Sequence, residues 1–143
     1  MKRKLVEAYM GTARNFAACS TAERLKVGAI IVDPKTGAII SVGYNGMPPG
    51  LSNECEHRDH HGDAIITKPE VLHAEENAIA KLARSTSSAE GCWMFVTHSP
   101  CIKCARLIVA SGIQKVVYEI PFKGRLGCGL ELLNNCKITT EKM

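Results

Sequence analysis

Leu5, Tyr9, Thr12 or Ala13 and Phe16 recur at helical spacing, which predicts an amphipathic helix over about 2–18 with one face packed on a sheet. Two runs rich in β-branched residues follow, Val27 to Asp33 and Ala38 to Tyr44. The turn-forming Pro34-Lys35-Thr36-Gly37 between them makes them a hairpin. From Asn45 to about Lys68 no period survives, and Gly, Pro, Asn, Asp and His dominate. Irregular stretches longer than about 12–15 residues are uncommon in compact domains unless they serve a function or carry their own tether. A helix is predicted over Pro69 to Ala83, with Pro69 near its start and Leu72, Ile79 and Leu82 among its apolar positions.

The second half alternates. Cys92 to Thr97 reads as a strand, Cys101 to Ala110 as a helix stopped by Gly112, and Lys115 to Tyr118 as a strand. A last helix over Leu126 to Asn134 and a short strand near Lys137 to Thr139 complete the chain. Such alternation is the pattern of parallel β/α units, so the class is α/β. No internal repeat, low-complexity tract or linker interrupts the 143 residues, and a single domain over 1–143 is expected.

Composition changes this picture little. A hydrophobic share of 45% and a charged share of 22% are ordinary for a soluble domain. After Met1-Lys2-Arg3-Lys4 no apolar run is long enough for a signal peptide or a membrane span, so a cytosolic protein is expected. Seven cysteines, an odd number, then read as free or metal-bound thiols. The net charge of +4 is spread without a basic run, which suits a small anionic ligand better than a polynucleotide.

Chemistry concentrates in two places: His73-Ala74-Glu75 on one predicted helix, and Pro100-Cys101-Ile102-Lys103-Cys104 at the start of the next. Catalytic zinc takes three protein ligands of the imidazole and thiolate kind and keeps a fourth position for water. His73, Cys101 and Cys104 supply that count. Three residues apart, Cys101 and Cys104 share a helix face, and a helix amino end stabilises thiolates. Zinc makes water a nucleophile near neutral pH, and Glu75, beside a ligand without being one, is placed to shuttle the proton. Taken singly, the C-x-x-C could be a redox pair and the H-x-E a chance surface feature. A redox pair would leave His73 and Glu75 without purpose.

H-x-E followed by P-C-x-x-C is the signature of zinc deaminases, and the chain resembles the cytidine and deoxycytidylate deaminase superfamily, in particular its deoxycytidylate branch. The likeness is carried by Val27 to Val32, by Gly43-Tyr44-Asn45-Gly46-Met47-Pro48, by His73 to Ile79, and by Ser99 to Cys104 with Ala110-Ser111-Gly112-Ile113. The resemblance implies a three-layer α/β/α fold around a five-stranded mixed sheet. It further implies hydrolysis of dCMP to dUMP and ammonia, activation by dCTP, inhibition by dTTP, and a homo-oligomer such as a hexamer. By the same likeness Asn45 holds the sugar, Gly43 to Gly46 help form a regulatory nucleotide site, and Arg84 matches an arginine that affects regulation in related phage enzymes.

Several readings stay open beside this one. Gly43, Asn45 and Gly46 suit either an ordinary turn or close approach to a ligand. Arg24 and Lys26 are candidates for the substrate phosphate or solvated surface charges. The long loop holds Cys55, His57, His60 and His61. Similarity to phage members implies a second, structural zinc on Cys19, Cys55 and His60 or His61, with Glu70 or His57 as fourth ligand; the alternative is a solvated polar loop with a buried thiol at Cys19. Cys92, Cys128 and Cys136 read as core or partly buried thiols. A tRNA adenosine deaminase would share the zinc chemistry, but it predicts a basic last helix, where this chain has Glu131. A catalytically silent, nucleotide-sensing zinc module would have no use for Glu75.

Overall fold

The computed structural model describes residues 1–124 and 127–143; Arg125 and Leu126, the latter the expected first residue of the last helix, lie outside the described residues. The elements run α1 (Arg3–Ala17), β1 (Gly28–Val32), β2 (Ile39–Tyr44), β3 (Glu56–Arg58), β4 (Ile65–Thr67), α2 (Ala74–Leu82), β5 (Trp93–His98), α3 (Ile102–Ala110), β6 (Lys115–Ile120), α4 (Leu130–Asn135) and β7 (Thr139–Lys142). Five strands form one sheet in the order β2-β1-β5-β6-β7. Pairing is antiparallel between β2 and β1 and between β1 and β5, then parallel through β6 to β7, so the sheet is mixed.

Every residue of β1 is buried, because helices cover both sheet faces. Ala29 and Ile31 point to one side, packing with Ala74, Ala78 and Leu82 of α2, Ala105 and Ile108 of α3, and Leu133 of α4. Ile30 and Val32 point to the other, where Tyr9, Met10 and Ala13 of α1 meet Phe95 and Val117. Strand alternation therefore sorts one sequence into two cores and gives the α/β/α layering that the resemblance implied.

Several expectations need correction. Pro69 does not open a helix: α2 begins at Ala74, because Leu72 exchanges backbone hydrogen bonds with Gly46 at 2.9 and 3.1 Å and so keeps the preceding residues extended. The stretch 45–68 is not wholly irregular either, since β3 and β4 pair antiparallel in a two-stranded sheet. Its tip is closed by Asp59, whose Oδ1 accepts from the backbone N–H of His61 and of Asp63 at 3.2 and 2.9 Å. The last helix and strand begin later than expected, at Leu130 and Thr139.

Candidate active site

His73 sits in the N-cap position of α2, with extended backbone. Its backbone N–H donates to Glu76 Oε1 at 3.0 Å, the reaching-back contact of a capping box. Cys101 is the N-cap of α3, where its sulfur accepts from the Cys104 backbone N–H at 3.5 Å. Both helices thus start on a prospective ligand, and their amino ends converge. His73 Nδ1 lies 3.6 Å from Cys101 Sγ and 3.3 Å from Cys104 Sγ. The three donor atoms all fall within 4.8 Å of one another, and no second such group of three or more occurs among the described residues.

The donors suit zinc on chemical grounds. Both thiols are free and buried. The hydrogen bond from Cys104 pulls the Cys101 thiol down to about 4, while that same bond and burial push the Cys104 thiol up. A divalent cation would accept both sulfurs as thiolates, and imidazole nitrogen with two thiolates is a known catalytic zinc set with one position left over. Burial likewise pushes the Glu75 carboxyl up to about 7. A carboxyl poised there can both take and return a proton near neutral pH.

His73, Glu75 and Cys101 line the floor of a cavity of about 540 Å³. That volume lies in the range of small-molecule sites. Val71 and Ala74 add apolar wall, and Arg24, Lys68 and Lys103 bring positive charge to it. His98 and Phe122 meet edge to face with ring centroids 6.2 Å apart and stand on the same cavity. Phe122 is held there by Ser99, whose hydroxyl accepts the Phe122 backbone N–H at 2.7 Å and donates to its carbonyl at 3.2 Å. Sequence reading singled out neither Lys68 nor His98 as part of the site, and it left Phe122 between the substrate mouth and a neighbouring subunit.

Asn45 lines the cavity as well, and its amide is also a clamp. Oδ1 accepts the Val27 backbone N–H at 2.8 Å and Nδ2 donates to the Leu25 carbonyl at 2.7 Å. Arg24 stands on the wall, whereas Lys26 is exposed and is not among the lining residues. Gly43 is committed to packing: a Cβ there would collide with the Ala74 carbonyl and the Ala78 backbone nitrogen, so glycine is what lets α2 lie on β2. Tyr44 accepts the Asn77 side-chain amide on its carbonyl at 2.9 Å, Gly46 pairs with Leu72, and Arg84 is exposed just beyond α2.

The proposed second-zinc residues are not assembled. Cys19 is exposed, with its thiol 3.7 Å from the Asn15 carbonyl, and Cys55 is buried beside the Thr21 hydroxyl at 3.6 Å. His57, His60, His61 and Glu70 are all exposed. The loop has another tether: Glu56 Oε1 accepts the backbone N–H of Glu23 at 2.9 Å and of Arg24 at 3.3 Å, and Thr21 donates to the Asn53 carbonyl at 2.7 Å. Cys92 is buried and Cys128 half-buried as expected, the latter with its backbone bridging to Cys101, whereas Cys136, also expected to be at least partly buried, is exposed.

A mixed five-stranded sheet layered between helices, with imidazole, two thiols and a buried carboxyl at the amino ends of two of them, defines the class of zinc-dependent deaminases. Residues 3–120 match the family described as cytidine and deoxycytidylate deaminase zinc-binding region, and the chain belongs to that family. It is 40% identical to the deoxycytidylate deaminase of Enterobacteria phage T4 over 162 residues, covering 82% of this chain and 83% of that protein. The structure superposes with a TM-score of 0.90 on dCMP deaminase from cyanophage S-TIM5 in complex with dCMP and dUMP, at 42% identity and covering 100% of this chain and 99% of that one. A diaminohydroxyphosphoribosylaminopyrimidine deaminase/5-amino-6-(5-phosphoribosylamino)uracil reductase from Thermotoga maritima is more distant, with a TM-score of 0.73, 26% identity, and coverage of 97% of this chain and 36% of that one. Among the described residues no helix is long and apolar enough to cross a membrane.

Proposed function

We propose that this protein converts dCMP and water to dUMP and ammonia, with His73, Cys101 and Cys104 holding zinc and Glu75 moving the protons. When bound, zinc supplies Lewis-acid activation of water. Glu75 would take a proton from that water and pass it to N3 of the cytosine ring as the water oxygen bonds to C4, then carry the remaining hydroxyl proton to the C4 amino group, which leaves as ammonia while the C4 carbonyl forms. The buried setting of Glu75 supports this role, because a neutral-range carboxyl can reverse its part within one turnover. His98 and Phe122 give the ring an edge to rest against. The basic side chains of Arg24 and Lys68, on the cavity that Glu75 floors, favour a substrate that carries phosphate.

The observation that carries the proposal is that shared cavity, whose lining holds His73, Cys101 and Glu75 together with the cations Arg24, Lys68 and Lys103. Likeness to the cyanophage enzyme solved with dCMP and dUMP supports the choice of nucleotide. Activation by dCTP, inhibition by dTTP and assembly into a hexamer are further parts of the reading, supported by the family resemblance. Incubating zinc-loaded protein with cytidine, deoxycytidine, dCMP and dCTP, with and without dCTP or dTTP as effector, and following ammonia release tests it. The expected result is turnover of dCMP with a KM that rises in Arg24→Ala and Lys68→Ala. Turnover confined to the unphosphorylated nucleosides would refute it.

A further inference from the structure

Glu76 follows the buried carboxyl in sequence but is not among the residues lining the cavity. Its two oxygens serve different partners. Oε1 accepts the backbone N–H of His73 at 3.0 Å, and Oε2 lies 3.5 Å from Nζ of Lys103. Lys103 stands between Cys101 and Cys104 in the first turn of α3. One carboxylate therefore touches the start of the helix that carries the imidazole and the start of the helix that carries both sulfurs.

Lysine is the wrong charge for a helix amino end, where the macrodipole favours acids, and α3 has no acidic residue in its first turn. Its cost is offset if the ammonium has work at that place. Glu76 is well sited for the opposite reason, as an acidic residue in the first turn of α2. The Glu76 side chain is 16% exposed against 55% for Lys103, so Glu76 is the fixed member and Lys103 the adaptable one. Ligands of a metal are commonly oriented by partners one contact further out, and loss of such a partner weakens metal binding.

We propose that Glu76 and Lys103 are a positioning pair, in which Glu76 fixes the His73 backbone and, through Lys103, sets the first turn of α3 so that imidazole and sulfurs face one point. The proposal rests on the zinc reading above. Glu76 is the stronger half, since its bond to the His73 backbone is shielded whereas the ion pair is half in solvent.

The test is zinc affinity of the full chain, measured without nucleotide by competition with a chromophoric chelator. Glu76→Ala should weaken zinc about tenfold or more. Glu76→Gln, which keeps an acceptor for the His73 N–H but loses the charge, should weaken it only about two- to fivefold, and so should Lys103→Met. The double variant Glu76→Ala/Lys103→Met should bind no worse than Glu76→Ala within about a factor of two, because both act through one contact. Excess zinc should restore deamination to Glu76→Ala. Wild-type affinity in Glu76→Ala with unchanged far-UV dichroism, or multiplied losses in the double variant, would overturn the pair. Should Glu76→Ala fail to fold, wild-type affinity in both Glu76→Gln and Lys103→Met would overturn it equally. A wild-type chain that binds no zinc would remove the metal reading itself, a result distinct from variants that bind as well as wild type.

Discussion

The imidazole nitrogen of His73 lies 3.3 Å from the sulfur of Cys104, although 31 residues separate them in the chain. Their meeting is a property of the sheet. β2, on which α2 packs, and β5, which leads into α3, flank β1 on its two sides, so both helices begin beside β1. Removing zinc should therefore cost stability as well as activity. Thermal unfolding should shift upward on adding zinc, by about 2.7 kcal/mol of stabilisation at a hundredfold excess over its dissociation constant. Cys104→Ala should abolish that response, measured as the melting temperature with and without zinc.

Glu75→Gln separates chemistry from binding. Deamination should fall about 10²- to 10⁴-fold, because the acid–base group is gone while the fold and ligands remain. Metal analysis should still find zinc in the variant. Loss of the metal along with the rate would show that Glu75 holds the site together rather than moving protons.

Gly43→Ala tests the seating of α2. The added methyl meets backbone atoms of Ala74 and Ala78 rather than a flexible side chain, so neither partner can step aside cheaply. A loss of about 1–3 kcal/mol is expected from overpacking, read from urea unfolding. An unchanged midpoint would mean that α2 can lift off the strand.

Arg14 on α1 and Glu119 on β6 set an acid limit. Arg14 Nε donates to both Glu119 oxygens at 3.0 Å, and this bond holds the Glu119 carboxyl below the usual carboxylate range. A depressed folded value means that the stabilisation is present above the ordinary carboxylate pKa of about 4.3 and is lost as the pH falls through the lower folded value. Side-chain exposures of 45% and 30% keep the contribution under about 1 kcal/mol. Arg14→Met should remove this part of the acid sensitivity, seen as a smaller wild-type-to-variant difference at pH 3 than at pH 7.

How far the chain could be read follows from how local each signal is. The amphipathic α1 and the β-branched runs of β1 and β2 are local patterns, and the structure places them within a residue of expectation. The meeting of His73, Cys101 and Cys104 was readable because both motifs open helices, a position in which imidazole or thiol and helix end reinforce each other. Pro69 misled, since proline suits a helix start but equally suits the turn before Leu72 pairs with Gly46. The better boundary signal was Glu76, three residues after His73, a capping relation hidden by the unusual cap residue. β3 and β4 escaped because three polar or mixed residues show no period. Lys68, His98 and Phe122 reach the cavity only through chain folding, and no window of sequence brings them together.

The contact at Gly43 leaves no slack between strand and helix, so the Ala74–Leu82 segment behaves as a lever bolted to the edge strand. Tyr44 and Gly46 are tied to the same segment through Asn77 and Leu72, so the end of the edge strand and the helix start that bears His73 and Glu75 are joined at three points.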